Sequence, residues 1–339
     1  MKIIFDAMGG DNAPEEIVKG ALQARKELGV EIVLVGQKEA IEAVLPAGET
    51  AEIVDAREIV TMDDDPSTAT RRKKDSSMAV ALKMLKNGEG DAVVSAGSTG
   101  ALLSGATLVV KRIRGVRRAA LAPILPTKQG SCVLIDCGAN AECSPEYLMQ
   151  FAFMGDALAR LYLGLEKPRV GLLNIGTEAG KGTSLQKDTY RLLEQADEAG
   201  KLHFIGNVEG RDVLEGPADV LVADGFSGNV LLKTMEGTAL YMTGALKSIF
   251  LGSLRTKLAA LLVKKDLKGF KKMMDYREIG GTVFLGITKP VIKAHGSCDA
   301  KGIKNAIAQA MKLVSSDLCR DLADKLAELP AMETEQAHE

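Results

Sequence analysis

Residues 91–110, DAVVSAGSTGALLSGATLVV, set the reading of the whole chain. Ala92-Val93-Val94 is a short apolar run of the kind that forms a buried strand. Ser95-Ala96-Gly97-Ser98-Thr99-Gly100 contains only small residues, and Leu102, Leu103 and Ala106 then fall at helical spacing. Strand, glycine-rich turn and helix start aim free backbone N–H groups at an anion. Gly97 and Gly100 let backbone approach a phosphate closely, and Ser98 and Thr99 add hydroxyl donors. The same residues also suit a well-capped helix and nothing more, since Ser and Thr are good N-caps.

Outward from there the pattern recurs. Strands are predicted at 2–5, 31–35, 51–54, 132–135, 170–173, 203–205, 220–222, 283–285 and 291–293. Helices are predicted at about 14–28, from 37, at 76–86, 145–163 and 184–200, through much of 230–272, and over 299–329. Pro14 opens the first helix and Glu15 and Glu16 suit its dipole. Such alternation predicts an α/β fold, a three-layer sandwich with a mostly parallel sheet. We expect a single catalytic domain over 1–330, with an amphipathic helical protrusion at about 240–275 and a frayed tail at 331–339.

Six predicted strand ends run straight into glycine-containing polar loops: Asp6, Ser95, Asp136, Asn174, Asn207 and Asp224. Ligands of open α/β sheets bind beyond the carboxyl ends of strands, so these loops are expected to converge on one crevice. One such loop is ordinary turn chemistry. Six are poorly explained that way.

Composition narrows the classes. The chain has 339 residues, 46% hydrophobic and 26% charged, which is ordinary for a globular protein. With a net charge of -2, 4% aromatic residues and no Trp, a nucleic-acid partner is not expected. Five cysteines without close pairing fit a reducing cytoplasm, and with three His and no Cys-x-x-Cys no metal site is expected. The N-terminal apolar run is too short for a signal peptide, and no apolar stretch is long enough to span a membrane. No dinucleotide fingerprint, P-loop or Gly-x-Ser-x-Gly elbow occurs. His203, in an apolar stretch, reads as a core histidine.

The loops taken together resemble one family: DAMGGD (6–11), AGSTGA (96–101), DCGAN (136–140), NIGTEAGKG (174–182), GNVEGRD (206–212), DGFSGN (224–229) and AHGSCDA (294–300). In order, and across nearly the whole chain, they look like the phosphate acyltransferases of bacterial phospholipid synthesis, the PlsX type. The resemblance implies a fold similar to isocitrate and isopropylmalate dehydrogenases and to phosphotransacetylase, and a homodimer with no cofactor. It implies transfer of a long-chain acyl group from acyl carrier protein to inorganic phosphate. A membrane acyltransferase would then pass the acyl group to glycerol 3-phosphate. The competing class is a non-catalytic phosphate- or acyl-binding scaffold for membrane acyltransferases.

Acyl transfer to phosphate needs anion-binding N–H groups, a cation and an oxyanion donor. The candidates for chemistry are His295, Lys181, Asp6 and Asn229. Gly97, Ser98, Thr99 and Gly100 would cradle phosphate, and Asn140, Asn174 and Asn207 would add neutral donors. Asp136, Glu178, Glu209 and Asp224 would repel phosphate, so they are expected to orient Lys181, loop backbones or the acyl donor's arm. His295 is read either as an acid or oxyanion donor or as a structural histidine in its turn.

Two charged features remain. Arg71, Arg72, Lys73, Lys74, Arg117 and Arg118 are either solvated or a docking surface for the acidic carrier protein. Residues 245–272 carry eight basic groups against one acidic, a local charge of +7. Leu254, Leu258, Leu261 and Leu262 lie at helical spacing there, joined by Val263 and flanked by Lys264 and Lys265. That combination suits peripheral contact with an anionic membrane surface, against the plain alternative of core or dimer packing.

Overall fold

The computed structural model describes residues 1–273, 280–316 and 318–327. Its strands are β1 (Lys2–Asp6), β2 (Glu31–Gly36), β3 (Glu52–Asp55), β4 (Ala92–Ser95), β5 (Ala120–Ala122) and β6 (Ile124–Thr127). They continue with β7 (Gly130–Ile135), β8 (Val170–Asn174), β9 (Phe204–Glu209), β10 (Val220–Val222), β11 (Gly281–Leu285) and β12 (Val291–Ala294). The helices are α1 (Glu15–Leu28), α2 (Lys38–Val44), α3 (Ala69–Arg72), α4 (Ser77–Asn87), α5 (Thr99–Gly105) and α6 (Pro145–Leu163). They continue with α7 (Ser184–Glu198), α8 (Gly225–Leu251), α9 (Leu254–Leu262), α10 (Lys264–Met273), α11 (Ala300–Val314) and α12 (Leu318–Ala327).

The strands divide into two sheets where one was expected. Seven run in the order β3-β2-β1-β4-β12-β11-β5 and five in the order β6-β7-β10-β8-β9. Pairing is parallel except that β11 runs antiparallel to β12 and β5, and β6 antiparallel to β7. The chain passes from one sheet to the other at Pro123, between β5 and β6. Proline has no N–H for a ladder, so it divides what would otherwise be one strand. The architecture is α/β with mostly parallel sheets.

Strand alternation buries both faces of the larger sheet. Ile3 and Phe5 face Ile17 and Val18 of α1 and Ile303 and Ile307 of α11, while Ile4 faces Met78, Leu82 and Leu85 of α4. In the smaller sheet Val133, Ile135, Val170 and Val222 share that first cluster with Phe151 and Leu158 of α6, so one core runs through both sheets. Each such side chain contributes about 1.5–3 kcal/mol when fully buried. The opposite face, with Leu134 and Leu221, packs under Leu231, Leu232 and Met235 of α8.

Local chemistry sets the helix ends. Ser76 accepts from the Ala79 N–H at the start of α4, and Gly88, at φ 82°, closes it in the left-handed region that favours glycine. The single helix expected over 299–329 is two, α11 and α12, because Ser315 and Ser316 end α11. The Ser316 hydroxyl bonds back to Leu313 O at 2.8 Å, a local bond that competes with helix continuation. His203 lies just before β9 rather than within a strand and is only half-buried. The tail at 331–339 lies outside the described residues.

The start of α8 is packed, but along the rest of the helix contact with the core is lost. Only Gly225 and Gly228 of α8 are buried, and α9 has no buried residue. Leu254, Leu258, Leu261 and Leu262 are 65–87% exposed. Lys268, Lys271 and Lys272, counted in the local charge, have side chains outside the described set. No helix among the described residues is long and apolar enough to cross a membrane.

Candidate active site

β1, β4 and β12 are parallel neighbours in register, which sets Asp6 beside Ser95 and Ser95 beside Lys293. Three polar residues therefore lie side by side near the carboxyl ends of three adjacent strands. Asp6 is buried and accepts from Ser95 Oγ at 2.6 Å and from the Met8 N–H at 3.3 Å. Burial pushes its carboxyl up from the usual range, against hydrogen bonds from Ser77, Ser95 and the Met8 and Gly9 backbone. Ser95 Oγ in turn accepts from the Gly97 N–H at 3.1 Å. Asp6 thus holds two loops, and one amide of the expected phosphate cradle is already used within the protein.

Close approach requires glycine here. A Cβ on Gly9 would lie 2.7 Å from both Asp6 Oδ2 and the Gly97 backbone nitrogen. One on Gly97 would lie 2.9 Å from Met78 Cε and 3.4 Å from the Gly9 Cα. Ser98 caps α5 through the Ala101 N–H at 3.5 Å, and a Cβ on Gly100 would meet Pro66 at 2.8 Å.

A third loop joins from β12. The Asp11 N–H donates to Gly296 O at 2.8 Å, and Asn12 Nδ2 donates to Cys298 O at 3.1 Å. His295 Nδ1 accepts from the Ser297 N–H at 3.3 Å and lies 3.0 Å from Ser297 Oγ. An Nδ1 that accepts a backbone N–H assigns the neutral ring's proton to Nε2. Burial lowers the His295 pKa from its ordinary value, with Glu236, Lys233, Lys293 and Asp11 as the facing charges. Lys233 and Glu236 sit on α8 and pair at 2.7 Å.

Asp136 ends β7 and has a different task. Its carboxylate accepts from the N–H groups of Leu121 (2.9 Å), Cys137 (2.6 Å), Ala139 (3.3 Å) and Asn140 (2.7 Å), and from Asn140 Nδ2 (3.0 Å). It is fully buried, and burial raises its pKa against those donors. The start of α8 is pressed onto it: a Cβ on Gly228 would lie 2.0 Å from Asp136 O, and one on Gly225 2.7 Å from Asp136 Oδ2. Asp224 caps α8 by accepting from the Ser227 N–H at 2.8 Å. Asn229, exposed, lies beside Gly138, and Asn140 Nδ2 also donates to Ala119 O at 2.8 Å.

The remaining predicted residues form a separate group on the smaller sheet. Asn174 Nδ2 donates to Lys181 O at 3.2 Å and Asn207 Nδ2 to Glu178 O at 2.9 Å, so both asparagines hold the 175–183 loop. Lys181 is half exposed, 3.9 Å from Glu178, and Glu209 pairs with Arg211 at 2.6 Å. Among the described residues no hydrogen bond or ion pair joins this group to the Asp6–His295 group. The six strand ends belong to two sheets, which is why they do not form one cluster.

The charged segment at 63–74 is partly folded inward. Lys73 pairs with Asp64 at 2.6 Å and donates to Ile59 O at 2.8 Å. Arg71, Arg72 and Lys74 stay exposed and line a depression with Thr68 and Thr70. Arg117 and Arg118 are exposed, the latter with its guanidinium 5.6 Å from the Tyr147 ring. Burial pushes the Cys137 thiol up to about 12 and Cys143 to about 11, so neither is a thiolate at neutral pH.

Comparison with known proteins decides the family. The profile described as "Fatty acid synthesis protein" matches residues 1–321. A phosphate acyltransferase of Caldanaerobacter subterraneus subsp. tengcongensis is 47% identical over 327 residues, 96% of this chain and 97% of that one. A phosphate acyltransferase of Lysinibacillus sphaericus is 50% identical over 316 residues, covering 93% and 94%. The chain belongs to the phosphate acyltransferase family. It is an enzyme, an acyltransferase of that family. Among solved structures, a phosphotransacetylase from Streptococcus pyogenes superposes with a TM-score of 0.60 at 18% identity, over 96% of this chain and 94% of its own. That likeness concerns the fold alone.

One residue of the acyltransferase stands at a predicted strand end and was not among the candidates. Lys293 donates from Nζ to Ala96 O at 3.0 Å and also to Ala294 O. Burial lowers its pKa to about 8. Its signal was present in the sequence: a lysine at the end of an apolar strand, two residues before His295-Gly296.

Proposed function

We propose that the enzyme transfers a long-chain acyl group from acyl carrier protein to inorganic phosphate where the loops after β1, β4 and β12 meet the start of α8. The observation that carries this reading is the in-register row Asp6, Ser95 and Lys293 beneath the glycine loop, in a chain of this family. A phosphate oxygen attacks the thioester carbonyl. The C–O bond forms, the C–S bond breaks, its electron pair goes to sulfur, and the thiolate takes up the proton that the attacking hydrogen phosphate gives up. Gly97–Gly100 border the phosphate, and the Nε2–H of His295 faces the oxygen that becomes negative. Asp6, Asp136 and Asp224 fix the loops, while Asn229, Lys181, Asn140, Asn174, Asn207, Glu178 and Glu209 border the acyl donor's path. Phosphate attacks directly, consistent with the protonated thiols of Cys137 and Cys143.

The surroundings of this reaction follow from the surface. Arg71, Arg72, Lys74, Arg117 and Arg118 dock the acidic carrier protein, with Lys73 bracing them through Asp64. The exposed leucines of α9, with Val263, Lys264 and Lys265, rest on an anionic membrane from the cytoplasmic side. There a membrane acyltransferase takes acyl phosphate for glycerol 3-phosphate. The working unit is a homodimer of single catalytic domains, related in fold to the isocitrate and isopropylmalate dehydrogenases. The test is acyl phosphate formation from phosphate with acyl carrier protein thioesters and, separately, coenzyme A thioesters. Release of acyl phosphate from the carrier-bound donor is expected; binding of both substrates without turnover would instead identify a scaffold.

A further inference from the structure

We propose that Lys293 is a phosphate-binding residue of this site, the cation that holds the attacking phosphate against the Ala96–Gly100 loop. Its Nζ lies where three loops meet: Ala96 O accepts from it at 3.0 Å, and the same oxygen is 3.5 Å and 3.8 Å from the Cβ positions of Gly10 and Gly296. Ala294 O takes a second N–H. An ammonium carries three donors, and among the described residues no protein acceptor is recorded for the third. Two carbonyls satisfy dipoles but do not neutralise charge.

Among the described residues no carboxylate pairs with this ammonium. The titratable groups facing it are Asp6 from β1, Asp11 from the loop after it, the Cys298 thiol, and Lys233 from α8, with His295 two residues on. Asp6 is committed to Ser95 and Met8. A half-buried cation without a paired anion carries a desolvation cost, and that is the arrangement an anionic ligand relieves. The depressed pKa has the same cause and the sign works out accordingly. Because the folded pKa lies below the ordinary lysine value, the charged form destabilises the empty protein as pH falls through about 8. A bound phosphate dianion removes that penalty, whereas the neutral strand-end lysine of a purely structural role would gain nothing from it.

The inference rests on the reading of this loop junction as the phosphate site, and the experiment separates the two. Lys293→Met and Gly97→Val are compared with wild type for the KM of phosphate, the KM of the acyl carrier protein donor, and the Tm shift produced by inorganic phosphate alone. Lys293→Met is expected to raise the phosphate KM about ten- to a hundred-fold, with the donor KM within about two-fold, and to abolish the phosphate-induced Tm shift. Gly97→Val raises the phosphate KM as well. If Gly97→Val raises it and Lys293→Met does not, the junction stands and the role of Lys293 is overturned. If neither changes it, the junction itself is wrong. Should Lys293→Met fail to fold, calorimetry of wild type with phosphate at pH 8.5 in two buffers of different ionisation enthalpy decides. Proton uptake on binding supports a lysine that becomes charged against phosphate; binding without uptake overturns it.

Discussion

Replacing Leu258 and Leu262 together by glutamate separates a membrane face from a packing face. The two side chains are 65% and 87% exposed, and α9 buries no residue against the rest of the chain. Their removal should therefore leave the chain's own stability within about 0.5 kcal/mol. On a membrane the outcome differs. Each leucine that passes from water into the acyl boundary contributes about 1.5–3 kcal/mol, so the pair contributes about 3–6 kcal/mol. At about 1.4 kcal/mol per tenfold, vesicle partitioning should fall about a hundred- to ten-thousand-fold. Two glutamates beside anionic headgroups push the same way, while Lys264 and Lys265 remain to attract them. The assay is flotation with vesicles of anionic phospholipid, alongside thermal melting and size-exclusion chromatography. Wild type is expected to float and the variant to stay in the soluble fraction, with equal Tm and equal size. A variant that floats like wild type refutes the reasoning. A variant that loses dimer mass or melts early shows that the leucines face another copy of the chain.

Asp136→Ala takes the acceptor from the buried N–H groups of Leu121 and Cys137 and from the half-buried ones of Ala139 and Asn140; at about 1–3 kcal/mol for each of the two buried groups, urea unfolding should show a loss of about 2–6 kcal/mol, and Asp136→Asn, which keeps one carbonyl oxygen, should lose less. A loss under about 1 kcal/mol for the alanine variant would contradict the bracing role. Reversing Arg71, Arg72 and Lys74 to glutamate should lower turnover of carrier-bound acyl groups about tenfold at low salt and far less at high salt, whereas salt-independent kinetics would mark these residues as merely solvated. For His295 the folded pKa is depressed, so its contribution to stability is present above the ordinary imidazole range and lost as pH falls through the lowered value. Melting and kcat/KM followed from about pH 5 to 8 should show an acid limb that His295→Gln removes, and an unchanged limb would assign it elsewhere.

The parts of the fold legible in the sequence are those that local chemistry alone determines. Strand, small-residue turn and capped helix at 91–110 appear as β4, the Ala96–Ser98 turn and α5, because an apolar run, glycine and a serine cap act within ten residues. The division into two sheets was not legible, since it depends on which edge each strand finds across the chain. Pro123 was its one local trace, and β5 and β6, of three and four residues, are too short to show a period. The same distinction governs the site. Asp6, Ser95 and Asp136 were visible as polar residues at strand ends, but whether such a residue faces substrate or braces backbone depends on donors far away in sequence. Asp136 accepts from Leu121, fifteen positions earlier, and Asp6 from Ser95, 89 positions later. A carboxylate whose lone pairs are taken up this way has little left to offer a substrate. Lys293 shows the converse. A lysine at a strand end is ordinarily solvated, and only the parallel register that sets it beside Ser95 turns it into a half-buried cation under a glycine loop. On the proposed reading of this site, function therefore turns less on which residues stand at strand ends than on which of them keep an unspent donor in the folded chain.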